Sequence, residues 1–382
     1  MNPAGLAEVL ATFGPAYLAS QSLPRGAAKV WRAILACRTA SLGGHVESCA
    51  DCGTSRHVYH SCRNRHCPRC QTRAKEAWLA ARRREVLPVP YFHLVFTLPH
   101  ALNALIGAAP RRLYENLFAA ISATLTEFAA SPRHLGGMSA FSLVLHTWKQ
   151  DLGRHVHVHA LVAGGALSNT GNWISPKKGF LFPVRALSKV FRGKFIAGLD
   201  GLRRQGHLPN FLDPSAWHDL KQGLYAHDWV VYAKQPLGGP QAVLDYLGRY
   251  THRVAISNER IIGIANDQVA FRVRADAEGR KRTLRLPGGE FIGRFLLHVL
   301  PSGFKRIRHY GLLSPARKKI GLAAARSALA APPPEPAIIE SVAAFMSRVA
   351  RLASMCCPHC GGQFRVTATL LPQRGATARG PP

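Results

Sequence analysis

Three histidines occupy alternate positions in the run HVHVHALVAGG, residues 155–165. In an extended strand every second side chain points to one face. His155, His157 and His159 therefore form a row, while Val156, Val158 and Ala160 point the other way. Successive members of the row lie about 6–7 Å apart at Cα, so their rings can converge on one cation. Imidazole suits transition metals, and also Mn2+ or Mg2+ sites completed by water and phosphate; such a site keeps the open positions a catalytic ion needs. A half-buried strand whose polar face happens to be histidine is the plainer reading, and it accounts poorly for three at this period.

A second constellation lies in DYLGRYTHR, residues 245–253. On a helix Tyr246 and Tyr250 project from one face about one turn apart. Tyrosines at that spacing ordinarily pack a core, but here Arg249, Thr251, His252 and Arg253 make the surroundings polar and basic. A tyrosine oxygen can act as a covalent nucleophile when a metal polarises the phosphate it attacks.

Cysteines form the third set. Cys49-x2-Cys52 and Cys67-x2-Cys70 are two knuckles that together complete a tetrahedral thiolate site for structural Zn2+. Cys62, His66 and Cys37 are spare ligands for it. The loop between the knuckles carries Arg63, Arg65 and Arg69, which offer positive charge to phosphates. Near the C-terminus Cys357 and Cys360 make half of such a site; no second pair follows, so either Cys356 or His359 helps, or a remote cysteine does, or the knuckle is vestigial, and a metal is not expected there.

Charge narrows the partner. Fifty Lys and Arg against twenty Asp and Glu give a formal +30, an imbalance that a polyanion explains and simple solvation does not. The shortage of carboxylates argues against a nuclease site built from several acids. No run approaches the roughly 18 apolar residues of a membrane span, and the N-terminal residues lack a signal peptide's basic and apolar regions. A cytoplasmic protein with no membrane partner is expected, and metal ligation rather than disulfides for the cysteines.

Elements must position these residues. Residues 1–36 read as a helical lead-in, and 37–72 as a small metal-stapled module. QTRAKEAWLAARRREVLPVP reads as a basic helix ended by Pro88 and Pro90. YFHLVFTLPH (91–100) reads as a strand, and 101–131 as helical. FSLVLHTWKQ (141–150) and the histidine run form two strands joined by a short polar link, hence a hairpin. DWVVYAKQP and QVAFRVRA read as further strands, and PQAVLDYLGRYTHRVAIS begins as a helix. GGEFIGRFLLHVLPSGFKRIRHYG mixes a helix with a basic loop containing Lys305, Arg306 and Arg308. AAPPPEPA (330–337) is a linker by its proline content.

Taken in order, CRNRHCPRCQ, FTLPH, HTWKQ…HVHVHALVAGGALS, YLGRYTHRVAISNERI and FIGRFLLHVLPSGFKRIRHYG resemble the two-tyrosine HUH rolling-circle transposases of the insertion-sequence-91 and ISCR type. The resemblance covers about residues 37–315. It implies an α+β HUH endonuclease fold, an antiparallel sheet with flanking helices, preceded by a zinc-ribbon-like module. The expected division is 1–86 for the lead-in and zinc module, 87–328 for the catalytic domain and 329–382 for linker and tail. It further implies that His157 and His159 bind Mg2+ or Mn2+, with His155 or His146 as third ligand and Gln150 behind them. Tyr246 and Tyr250 would attack single-stranded DNA at insertion-sequence ends, including their hairpins, and form 5′-phosphotyrosine links in the bacterial cytoplasm. Arg249 and Arg253 join the DNA-contact candidates. A replication initiator or relaxase shares this chemistry and is the nearest alternative. A non-catalytic zinc-containing DNA-binding protein would leave the histidine row and tyrosine pair as coincidences.

Overall fold

The computed structural model describes residues 4–177, 180–208, 213–237, 255–273, 282–334 and 356–373, with single positions 242, 243, 248, 341, 344 and 348. Helices α1 (Leu6–Ser20) and α2 (Arg25–Ala36) open the chain. They are followed by a hairpin of β1 (Gly44–Cys49) and β2 (Ser55–Tyr59), and by helix α3 (Gln71–Arg83). Next come β3 (Tyr91–Thr97), α4 (Asn103–Ala108), α5 (Pro110–Ala130), β4 (Met138–Trp148) and β5 (Arg154–Leu167). The chain continues through β6 (Trp173–Ile174), α6 (Val184–Arg204), α7 (Pro214–Ala226) and β7 (Val231–Leu237). The remaining elements are β8 (Ile261–Ala265), β9 (Gln268–Val273), β10 (Arg282–Pro287), α8 (Gly288–Leu296), β11 (Ile307–Gly311), α9 (Lys318–Ala328) and β12 (Phe364–Leu370).

The main sheet has strand order β11-β4-β5-β3-β7, every pair antiparallel, with β6 beside the end of β5. Alternation along its central strands separates its two faces. Phe92, Leu94 and Phe96 of β3, Leu143 and Leu145 of β4, and Val156 and Val158 of β5 turn to one side. There they meet Leu113, Leu117 and Ile121 of α5 and Leu187, Phe191 and Phe195 of α6, each set in steps of four that keep to one helix stripe. Phe96 is fully buried and meets Phe191 edge to face at 5.2 Å. Phe96→Ala is expected to cost about 3–5 kcal/mol of stability, the range for emptying a buried aromatic site. Chemical denaturation of the full chain measures it, and a loss below about 1 kcal/mol would contradict this packing.

The opposite face is only partly covered. Val86, Leu87, Leu322 and Ala325 pack on Tyr91, Leu161 and Ala163, together with Val243. The histidine end lies beyond this cover. Residues 305–311 depart from the basic loop expected of them: Ile307–Gly311 is an edge strand paired with Val144 to Ala140 of β4. Its alternation of Ile307, His309 and Gly311 is too short and polar to register as a strand without the partner.

A second core joins both parts of the chain. Leu6, Val9 and Leu10 of α1 and Trp31 and Ile34 of α2 pack with Phe271, Phe291 and Phe295 near the three-stranded sheet β8-β9-β10. A third sheet has order β12-β1-β2. The tail expected to stand apart after residue 329 therefore returns to the N-terminal module, with Phe364 opposite Cys49 and Leu370 opposite Gly44. Among the described residues no helix is long and apolar enough to cross a membrane.

Candidate functional site

The hairpin β4–β5 builds the site. Register pairs His146 with His157 and Val144 with His159 across it, while Val95 of β3 lies opposite His159 on the other side. Even-numbered neighbours Val156 and Val158 are buried in the main core, which forces the histidines to the far face as their period requires. His146, His157 and His159 bring one ring nitrogen each within 4.8 Å of one another. His159 Nε2 and His146 Nδ1 are 3.1 Å apart. Two nitrogens about 2.1 Å from a common ion, at octahedral to tetrahedral angles, would be about 3.0–3.4 Å apart, so the donor set fits a divalent cation.

Outer contacts fix these rings. The carbonyl of His155 can only accept, so His157 Nδ1–H donates to it at 3.0 Å and leaves Nε2 with a lone pair. Burial pushes the His157 pKa down to about 4, keeping the neutral imidazole that a metal needs. His93 Nε2 is 2.9 Å from His159 Nδ1 and orients that ring from the neighbouring strand. Burial also pulls the His93 pKa down, to about 4. His155 turns away from the trio toward His100 Nε2, 3.2 Å from its own Nδ1. Of the two histidines offered as third ligand, the geometry thus groups His146 with the pair and leaves His155 out.

The hairpin turn is held from the second core. Arg260 donates to the carbonyl of Gln150 (2.5 Å), Arg294 to that of Asp151 (2.9 Å) and His298 Nε2 to that of Leu152 (2.9 Å). Leu152 has φ +63, strained for a leucine, and is fully buried. His298 then accepts from Thr147 Oγ1 at 3.2 Å, one residue from His146. Three consecutive carbonyls gripped in this way fix the end of both histidine strands.

Tyr246, Tyr250, Arg249 and Arg253 lie outside the described residues. Two positions of that segment are described: Val243 is buried with Leu161 and Ala163, and Gly248 lies against α3, where an added Cβ would stand 3.1 Å from Leu79. Both are on the histidine-bearing side of the sheet.

The cysteines are corrected. Cys49 and Cys52 do not share a site with Cys67 and Cys70; Cys67 and Cys70 group with Cys37 and Cys62, and Cys49 and Cys52 group with Cys357 and Cys360. Sulfur separations in the first tetrad are 3.5 Å for Cys37–Cys70 and 3.6 Å for Cys62–Cys70. Tetrahedral thiolates about 2.3 Å from one Zn2+ would be about 3.8 Å apart, a close fit. A hydrogen bond from Cys67 draws the Cys62 pKa down to about 5, toward the thiolate that ligates. His66 belongs to neither tetrad.

Several expected DNA contacts have internal partners. Arg65 donates to the carbonyls of Pro301 and Phe304, Arg69 pairs with Glu8 at 2.6 Å, and burial beside Arg65 pulls the Arg306 pKa down to about 10. Arg308 lies over the Phe118 ring at 4.3 Å, while Arg63 and Lys305 are exposed. His93, Arg260, Arg294 and His298 escaped the sequence reading. His93 shares the alternating face of its strand with Tyr91, Val95 and Thr97, the one local signal that marked it.

The family described as "Putative transposase" matches residues 140–320, and the family described as "Transposase zinc-binding domain" matches 9–98. "Putative transposase y4qJ" of Sinorhizobium fredii (strain NBRC 101917 / NGR234) is 44% identical over 93% of this chain and 92% of its own. The "Transposase for insertion sequence element IS801" of Pseudomonas savastanoi pv. phaseolicola is 27% identical over 74% of this chain and 68% of its own. Among solved structures, a metal-bound conjugative relaxase TrwC in complex with oriT DNA is 14% identical, covers 44% of this chain and 73% of that one, and has a TM-score of 0.25. With the histidine trio on an antiparallel sheet and a cysteine tetrad ahead of it, the chain belongs to the insertion-sequence-91 family of transposases, rolling-circle enzymes with an N-terminal zinc-binding domain.

Proposed function

We propose that the chain nicks and rejoins single-stranded DNA at insertion-sequence ends, carrying the cut strand on tyrosine. The observation that carries this reading is the convergence of His146, His157 and His159 on one face of the main sheet. These three would hold Mg2+ or Mn2+, which when bound polarises the scissile phosphate and offsets charge in the transition state. His93 and the carbonyl of His155 keep the ligand nitrogens aimed. Tyr246 or Tyr250 supplies the attacking oxygen. Its bond to phosphorus forms as the bond to the 3′-oxygen breaks; the phenolic proton is lost and the 3′-oxygen gains one. The 5′ end stays attached and the 3′-hydroxyl is retained, so rejoining reverses the same exchange without nucleotide hydrolysis. A second tyrosine lets a second strand be cut while the first is held.

Residues 87–328 carry this chemistry in our reading, and Cys37, Cys62, Cys67 and Cys70 hold a structural Zn2+ ahead of it. Arg63, Lys305 and Arg308, with Arg249 and Arg253 of the tyrosine segment, would meet phosphates of the strand or of an end hairpin. The full chain incubated with a single-stranded oligonucleotide from its own element's end and Mn2+ should give a detergent-resistant protein–DNA adduct. An equal amount of free 3′-hydroxyl fragment should accompany it, and chelation should suppress both. Persistent binding with no adduct on any end sequence overturns the reading.

A further inference from the structure

We propose that Cys49, Cys52, Cys357 and Cys360 hold a second zinc ion, which clasps the tail of the chain to its N-terminal module. The matched zinc-binding domain ends at residue 98, so half of this ligand set lies far beyond it. Sulfur separations of 3.5 Å for Cys49–Cys360 and 3.6 Å for Cys52–Cys357 match those of the first tetrad, and all four cysteines are free of disulfides. The thiolate-only donor set selects Zn2+ among common divalent ions.

The two halves are built alike. Each is a Cys-x2-Cys-Gly turn, and Gly53 (φ +72) and Gly361 (φ +77) both take the left-handed conformation that glycine tolerates. In each, the glycine N–H returns to the first cysteine's carbonyl: Gly53 to Cys49 at 3.1 Å and Gly361 to Cys357 at 2.9 Å. Each first cysteine in turn donates its own N–H across the turn, Cys49 to Thr54 at 2.8 Å and Cys357 to Gly362 at 2.7 Å. Two matched knuckles facing each other across four sulfurs form a zinc ribbon. They also sit tightly: a Cβ at Gly362 would lie 2.2 Å from the Asp51 carboxylate and 3.0 Å from Cys49 Sγ. Thr54 Oγ1 also lies 3.2 Å from Cys52 Sγ, tying the first knuckle to its own turn.

Apolar burial alone does not hold this ribbon. The cluster at its centre is Cys49, Cys357 and Phe364, and Val366 on β12 is 62% exposed. A module this poor in core needs a staple, and metal binding supplies one by coupling ligation to folding.

The test uses the full chain in a His157→Ala/His159→Ala background, so that the histidine site contributes no zinc. Metal analysis should find two zinc ions per chain. Cys357→Ser/Cys360→Ser and Cys67→Ser/Cys70→Ser should each leave one. After exchange into Co2+, the sulfur-to-cobalt absorption of each double variant should be half that of the parent. Amide exchange in β1 should quicken in the Cys357→Ser/Cys360→Ser variant as β12 detaches. One zinc per chain in the parent, iron in its place, or two zinc ions retained without Cys357 and Cys360 overturns the proposal. The parent's own stoichiometry decides even if a variant fails to fold.

Discussion

A chain carrying both Tyr246→Phe and Tyr250→Phe forms no covalent adduct with a single-stranded end oligonucleotide; the expected yield falls below about 10⁻³ of wild type. The substitution removes one oxygen and keeps the ring, so packing is nearly preserved and loss of adduct reports loss of the nucleophile. Each single variant should retain adduct on a short oligonucleotide, because on a helix i, i+4 spacing would bring either hydroxyl to the same phosphate. Each single variant nonetheless fails in complete transposition, where two strands must be held in turn. Mass spectrometry of the trapped peptide supplies the decisive reading. Phosphate outside residues 246–250, or adduct surviving in the double variant, ends the mechanism. Adduct confined to Tyr250 in every preparation returns Tyr246 to a packing role.

The second large effect is expected at the proposed metal ligands. His157→Ala or His159→Ala should cut nicking by about 10³-fold, equivalent to about 4 kcal/mol of transition-state stabilisation. DNA affinity should hardly change, because binding would draw on a formal +30 of charge while the proposed ion would touch one phosphate. His93→Ala should fall between: about 10–100-fold weaker in metal affinity, with activity recovered as Mn2+ is raised. Nicking measured across Mn2+ concentrations separates the two classes. Undiminished cleavage by the His157/His159 double variant would refute the ligand assignment.

How much of this was legible follows from the range of each signal. The histidine row has period two, and its strand needs only local alternation to be recognised. Its hairpin partner was legible because the link from Trp148 to Arg154 is short, which brought His146 into consideration. His93 was not, since the register between β3 and β5 is set by a partner about sixty residues away, and no local pattern encodes it. The cysteines show the same limit more sharply. Spacing identified the knuckles but paired the nearest ones, whereas Cys67 and Cys70 take Cys37 and Cys62, and Cys49 and Cys52 take the tail pair. A cue was present: CADCG and CPHCG share a glycine after the second cysteine, and CPRCQ does not. The arginines misled for another reason. Charge predicts attraction to phosphate, but Arg65 and Arg69 spend theirs on internal carbonyls and on Glu8.

The pairing of β12 with β1 also sets a clock. Cys52 and Cys357 are 305 positions apart, so at roughly 5–20 residues per second the ribosome needs about 15–60 s to deliver the second after the first. Throughout that interval the β1–β2 hairpin carries an open strand edge, the kind of surface that recruits stray chains. Closure over so long a separation is also intrinsically slow. A transcript cut short anywhere before residue 357 therefore yields chains that lack β12, in which the β1 edge has no partner on that side. The front of the molecule in effect certifies that its back has been made.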